Sequence, residues 1–161
     1  MSRAVNSSTA VEIRDARAQD LPALLRMMRS LAEQPPAIAF DEGEVRRAFE
    51  KFLADSELGQ AWLLWLGKKL VGYVILTLGY SFEFRGRDAF IDELYIEPEF
   101  RRTGLGRRAM EFVEEKARVF GVNALHLEVD RGNDAALELY RRAGYADQGR
   151  YLMTKWLREK K

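Results

Sequence analysis

The chain has 161 residues, 26 basic against 25 acidic side chains, a formal net charge of +1, one histidine and no cysteine. That length favours a single domain with a sizeable core, and so even a charge balance argues against a generic nucleic-acid binder, which is usually strongly basic. The lack of cysteine excludes disulfides, thiolate metal sites and a cysteine nucleophile, and the lone His126 leaves little scope for a metal site, so none is expected.

Apolar runs are strand-sized and interrupted, so no transmembrane segment and no membrane partner are expected. Residues 1–10 (MSRAVNSSTA) are small and polar and read as a loose tail rather than a signal peptide. Residues 11–161 read as one domain, with a cytoplasmic location as the default expectation. Val11–Arg14 (VEIR) alternates like a short strand. Asp20 is predicted to cap the helix LPALLRMMRSLAE, with Pro22 in its first turn and Pro35-Pro36 ending it. Glu42–Ala54 has helical spacing at Val45, Phe49 and Phe52. Ala61–Leu66 and Leu70–Tyr80 read as strands joined by a turn at GKK. Tyr80–Asp88 (YSFEFRGRD), polar and aromatic, is predicted to loop out before a strand at Ala89–Ile96 that Pro98 stops. GLGRRAMEFVEEKARVF is a helix ending at Gly121, Ala124–Val129 a strand, Asn133–Ala143 a helix closed by Gly144, and Tyr151–Leu157 a last strand. This order predicts an α+β protein with helices on both faces of a sheet. Ligands of such sheets bind where strand ends meet helix N-termini.

The stretch Arg101–Arg108 (RRTGLGRR) places two glycines and four arginines where a strand hands over to a helix. A helix N-terminus carries unpaired N–H groups and about half a positive charge. Glycines let an anion approach that backbone, and Arg101, Arg102, Arg107 and Arg108 add charge suited to phosphate oxygens. The stretch is built like a pyrophosphate cradle; the alternative is a glycine turn on a solvated basic helix start. Asn133, Ala136 and Tyr140 share one face of the later helix. Asn133 can cap that helix and bond an amide, Ala136 leaves room, and Tyr140 presents a phenol two turns along or packs as a core aromatic.

These two blocks resemble the GCN5-related N-acetyltransferases (GNAT). Arg101, Gly104 and Gly106 match the family's Q/R-x-x-G-x-G/A after a strand ending in LYI, and Asn133-x-x-Ala136-x-x-x-Tyr140 with Ala143-Gly144-Tyr145 is similar to its N-x-x-A-x-x-x-Y-x-x-x-G-F/Y. The resemblance implies the GNAT fold, a mostly antiparallel sheet with a splayed pair of strands, and acetyl-CoA as co-substrate. It implies cofactor contacts at Arg101, Arg102, Thr103, Gly104, Leu105, Gly106, Arg107, Asn133, Ala136 and Tyr140. A bulge within Phe90–Ile96 would separate that strand from Ala124–Val129. Backbone groups of Leu94, Tyr95 and Ile96 would then bind the pantetheine arm, one N–H polarising the thioester carbonyl.

Without cysteine, direct attack of an amine is expected. An amine near the lysine reference of about 10.4 must lose a proton at neutral pH, at roughly 4–5 kcal/mol. Asp92 and Glu93 are the candidate bases, direct or through water, and strand alternation points them to opposite faces. The alternative is that both are plain solvated carboxylates, although acids are otherwise disfavoured inside a strand. Tyr140, protonated at neutral pH, would donate to the departing thiolate. Tyr80–Arg102 resembles the diamine, polyamine and thialysine acetyltransferases, whose acidic pair commonly runs Glu then Asp; here it is Asp92 then Glu93, which favours a water relay. Glu83, Asp88, Asp92, Glu93 and Glu97 suit a cationic small-molecule amine, whereas Arg85 and Arg87 suit a substrate carboxylate. A peptide or protein acetyltransferase and a non-catalytic acyl-CoA binding domain are the alternatives. His126 reads as an exposed or hydrogen-bonded strand residue. Trp62, Trp65 and Trp156 read as core or interface. The last strand and basic tail offer an edge to a second subunit, so a homodimer is among the expectations.

Overall fold

The two-faced burial of the second strand sets the layering. In β2 (Gly59–Leu66), Trp62 and Leu64 face one side and Ala61 and Leu63 the other, and all four are fully buried. A strand apolar on both faces needs cover on both. The computed structural model, which describes residues 10–34 and 39–157, supplies that cover. β1 (Val11–Asp15), β2, β3 (Lys69–Ser81), β4 (Gly86–Ile96) and β5 (Ala124–Leu127) form one sheet in that spatial order. The first four pair antiparallel, and β5 joins β4 in parallel.

Helices α1 (Leu21–Ala32) and α2 (Glu42–Ala54) bury Leu21, Leu24, Leu25, Met27 and Phe49 against Ala61, Leu63, Tyr73, Ile75 and Tyr95. Helix α3 (Leu105–Val119) buries Leu105, Ala109, Met110, Val113 and Ala117 on the opposite face. Each large side chain so buried contributes about 1.5–3 kcal/mol. Trp62 anchors that second layer, edge-on to Phe112 at 5.4 Å. Helix α4 (Asp134–Arg142) brings Tyr140 against the same layer. The α+β sheet with helices on both faces is as the sequence predicts.

Four local readings differ. Asp20 stands at the N-cap of α1 as predicted but makes no side-chain capping bond; its carboxylate instead accepts from the Arg17 N–H at 2.9 Å across the short 3-10 turn Ala18–Asp20. The expected loop Tyr80–Asp88 shrinks to residues 82–85, because the β3–β4 ladder continues out to Ser81 opposite Gly86. The end of that hairpin is exposed, Tyr80 and Phe82 included, so its strands lack the apolar pattern by which the core ones are read. β5 ends at Leu127 rather than Val129, since its partner diverges there. Tyr151–Leu157 is not a strand. A strand needs a neighbour's backbone to pair with, and among the described residues the sheet ends at β5, leaving Tyr151, Met153 and Leu157 more than four-fifths exposed. Residues 1–9, most of the expected tail, and Pro35-Pro36 lie outside the described residues.

Candidate active site

One extra residue in β4 builds the site. Leu76 of β3 stands opposite Ile91, but Ile75 stands opposite Glu93, so Asp92 has no partner in the ladder. Such a bulge bends its strand. β4 follows β5 only where Asp88–Ile91 face Ala124–Leu127, and beyond Ile91 the two strands part. The gap is a cleft of about 180 Å³, walled by Asp92, Glu93 and Leu94 on one side and by Glu128, Val129 and Asp130 on the other. Helix α4 adds Asn133, Ala136 and Tyr140, and α1 adds Leu31.

The bulge also corrects the expectation that Asp92 and Glu93 point to opposite faces. It interrupts the alternation at that step, and both residues line the same cleft. Asp92 stays open to solvent, yet the cleft walls desolvate its carboxyl and push it above the ordinary range. Glu93 is more enclosed. Burial pushes its carboxyl up to about 6; the Tyr73 hydroxyl, donating to Glu93 Oε2 at 2.7 Å, works against that rise, and the neighbouring Asp92 charge adds to it.

Backbone polarity follows from the same register. The Glu97 N–H donates to the Val71 carbonyl at 2.9 Å. Antiparallel alternation then turns the N–H and C=O of Tyr95 toward β3 and those of Leu94 and Ile96 toward the gap. The expected cofactor contact through the Tyr95 backbone is therefore corrected: those groups are committed to the ladder with Tyr73. The Ile96 carbonyl already accepts from Arg101 Nε at 2.8 Å.

At the end of β4 where the cleft opens, the chain turns into α3. Gly104 is the N-cap of α3 with φ +90°, a conformation that favours glycine. The Arg108 N–H makes the first helical bond, to the Gly104 carbonyl at 3.1 Å. The N–H groups of Leu105, Gly106 and Arg107 are thus left without intrahelical acceptors. Gly106 lets α4 approach, since a Cβ there would lie 3.1 Å from Leu139 Cδ2. Thr103 Oγ1 donates to the Phe100 carbonyl at 2.6 Å and braces the turn, while Arg102, at φ +62°, is exposed. Leu105 is anchored in the core. Arg107 and Arg108 lie 3.8 Å and 3.5 Å from Glu111 in exposed pairs. Such pairs contribute at most about 1 kcal/mol, so these guanidiniums are easily re-aimed toward a ligand.

On α4, Asn133 Oδ1 caps the helix by accepting from the Ala136 N–H at 3.1 Å, leaving its amide nitrogen as a spare donor. Burial raises the Tyr140 hydroxyl above its ordinary range, so it stays protonated at neutral pH. Of the five acids expected to attract a cation, three already lie beside basic side chains. Glu83 is held by Arg150 at 2.7 Å and 2.8 Å, Glu97 by Arg26 at 2.9 Å, and Asp88 lies 3.5 Å from His126. His126 sits between the rings of Phe84 and Phe90 as a strand histidine, away from the cleft lining. In exchange, Glu128 and Asp130 join Asp92 and Glu93 in the cleft wall, and no Lys or Arg lines it. The sequence reading missed both, although Glu128 falls two residues after His126 on one strand face. It also missed Tyr73, whose place in the apolar run LVGYVIL reads as core. Among the described residues no group of His, Cys, Asp or Glu is arranged to hold a metal, and no helix is long and apolar enough to cross a membrane.

The acetyltransferase (GNAT) family model matches residues 24–145, most of the chain. The chain belongs to the GNAT acetyltransferase family. A thialysine N-epsilon-acetyltransferase of Bos taurus is 30% identical over 149 residues, covering 85% of each chain. An L-methionine sulfoximine/L-methionine sulfone acetyltransferase of Pseudomonas aeruginosa is 28% identical over 145 residues, covering 87% of this chain and 83% of its own. The crystal structure of an integron cassette protein from the mobile metagenome of Cole Harbour Salt Marsh superposes with a TM-score of 0.81 at 33% identity, covering 92% of this chain and 91% of that one. In this GNAT chain the family's splayed strands are β4 and β5, and the protein is an N-acetyltransferase.

Proposed function

We propose that this N-acetyltransferase moves an acetyl group from acetyl-CoA directly to the primary amine of a small cationic acceptor: a diamine, a polyamine or a lysine-like amine. The observation that carries this reading is the bulge at Asp92, which parts β4 from β5 and sets two carboxylates facing Tyr140 in a cleft without lining cations. The chain's donors fit a coenzyme A ligand. The free N–H groups at the start of α3, bare backbone at Gly104 with open space around it, and the adjoining Arg102 and Arg107 suit a pyrophosphate. The gap-facing backbone of Leu94 and Ile96, the Asn133 amide and the small Ala136 suit a pantetheine arm. Acetyl-CoA supplies the activated acetyl thioester.

The remaining work falls to the chain's own groups. Asp92, Glu93, Glu128 and Asp130 draw an ammonium into the cleft. Its proton must go to a base before attack, and Glu93, at about 6, is ionised at neutral pH and closest to it in strength. Asp92, nearer to solvent, provides an entry for a water relay. Tyr140 holds the proton for the leaving thiolate. The named substrates of the two relatives, thialysine and methionine sulfoximine, are small molecules, which supports a small acceptor over a protein. A cytoplasmic location goes with this reading. So does a homodimer, because the segment 151–157 leaves Tyr151, Leu152, Met153 and Leu157 exposed, apolar surface available to a second copy.

The test is a panel of diamines, polyamines, lysine, thialysine and peptides incubated with acetyl-CoA and a thiol reagent. Thiol release with the small amines and background rates with peptides are expected. Release with peptides alone would assign a peptide acetyltransferase, and acetyl-CoA binding without release on any amine would leave a binding domain. Sedimentation of the full chain should give a dimer; a monomer at micromolar concentration would remove the dimer from the reading.

A further inference from the structure

We infer that Tyr73 is a positioning residue for acetyl transfer: from inside the core it fixes the Glu93 carboxyl at the cleft wall by donating its hydroxyl proton to it. The inference rests on the reading of Glu93 as the base. Tyr73 is fully buried in the layer between the sheet and α1–α2, its ring stacked on Tyr95 at 5.9 Å and 28°. Phenylalanine would serve that packing equally well. The hydroxyl is the one polar feature in an otherwise apolar stretch of β3, and a buried hydroxyl without a partner is costly. Its partner is Glu93 Oε2, at 2.7 Å, two strand positions along and across the ladder.

The direction of this bond is fixed by its surroundings. Burial, followed by the Glu93 charge beside it, holds the Tyr73 hydroxyl well above its ordinary range, so it remains a donor wherever the enzyme works. A donor bond to a carboxylate favours the charged form. The other groups facing Glu93 do not assist. Asp92 on its own strand and Glu128 and Asp130 across the gap are like charges, Leu31 of α1 is apolar, Tyr95 directs its hydroxyl to Glu97 at 3.0 Å, and Asn133 and Tyr140, donors on α4, make no hydrogen bond to Glu93. Tyr73 therefore does two things for Glu93. It selects one orientation of the carboxyl, leaving the other oxygen for the cleft, and it keeps a buried acid ionised at a pH where burial alone would protonate it.

The experiment is Tyr73→Phe, with Glu93→Gln and the double variant beside it. Each is read by the acidic limb of kcat/KM for a small amine across pH 5–9, and wild type and Tyr73→Phe also by a carbon-13 NMR titration of the Glu93 carboxyl in the free protein. Tyr73→Phe should move both the limb and the carboxyl midpoint up by about one pH unit, with acetyl-CoA KM unchanged and kcat lowered on the alkaline plateau. In the Glu93→Gln background the same change should move nothing. A purely structural tyrosine would lower stability and leave limb and midpoint where they were, and that result overturns the inference. Glu93→Gln retaining the wild-type limb would instead remove Glu93 as the base. If Glu93→Gln loses the limb while Tyr73→Phe leaves it in place, the base stands and the positioning role alone falls.

Discussion

The two edges of β4 meet different fates. Along β3 it stays paired from Gly86 to Ile96; along β5 it stays paired only from Asp88 to Ile91. On the closed edge, backbone groups are used up by the ladder, and side chains such as Leu76 and Ile91 are consumed by packing. On the open edge the same strand offers unpaired backbone, two carboxylates and room for a ligand. One unpaired residue, Asp92, makes the difference. The closed edge should thus tolerate change as a matter of stability, and the open edge as a matter of rate and binding.

The largest expected effect lies on the closed edge. Leu76→Ala should destabilise the fold by about 2–5 kcal/mol in denaturant unfolding, with kcat per folded molecule unchanged; a fall in kcat at full folding would break the division between the edges. On the open edge, Tyr140→Phe should lower kcat by roughly ten- to a thousandfold, within or just below the usual range for losing an acid–base group. Its acetyl-CoA affinity should hold, because the ring remains. Wild-type turnover would return Tyr140 to the core. Next, Gly106→Asp should weaken acetyl-CoA binding by about a hundredfold, on the scale of a lost charge-assisted bond, as read by calorimetry. Gly106 is a cleaner site than Gly104, where a side chain would also strain the left-handed backbone. Near-normal affinity would detach the start of α3 from the cofactor.

The smallest effect tests the cost of keeping Glu93 in the cleft. Its folded-state value, about 6, lies above the ordinary 4.5. The native state therefore holds that proton more tightly than the unfolded chain. The stabilisation this gives is present below about 4.5 and lost as pH rises through about 6. At pH 7.5 the ionised, buried carboxylate costs about 2 kcal/mol, taking 1.36 per unit. Glu93→Gln should recover part of that, melting higher than wild type at pH 7.5 and no higher at pH 4.5, while kcat/KM loses its fall below pH 6. Equal melting at both pH values would mean that Glu93 is not held against its preference.

What the sequence reveals and hides divides along the same line. The features at Gly104, Gly106 and Asn133 are legible because they are local: a positive φ, a close helix approach and a cap each demand a residue type on the spot. The layering is legible because the apolar pattern of β2 and α3 repeats along the chain. The orientation of Asp92 and Glu93 is not legible, because a bulge is decided by pairing with a strand some seventeen positions earlier. The bond from Tyr73 is hidden for the same reason, since a tyrosine among valines looks like filling. Glu83 and Glu97 read as free acids only because Arg150 and Arg26, distant in sequence, cannot be seen beside them.

The parallel joint between β4 and β5 also imposes an order on assembly. β2, β3 and β4 follow one another through tight hairpins, whereas β5 reaches β4 only after the crossover from Glu97 to Asn123. Contacts across a long loop form after local ones, because chain closure must come before they can reward it. During synthesis the meander carrying Asp92 and Glu93 leaves the ribosome before the helix that carries Tyr140. The two walls of the cleft are thus made at different times, and a chain arrested between them would present its acids, its unpaired β4 edge and no catalytic partner.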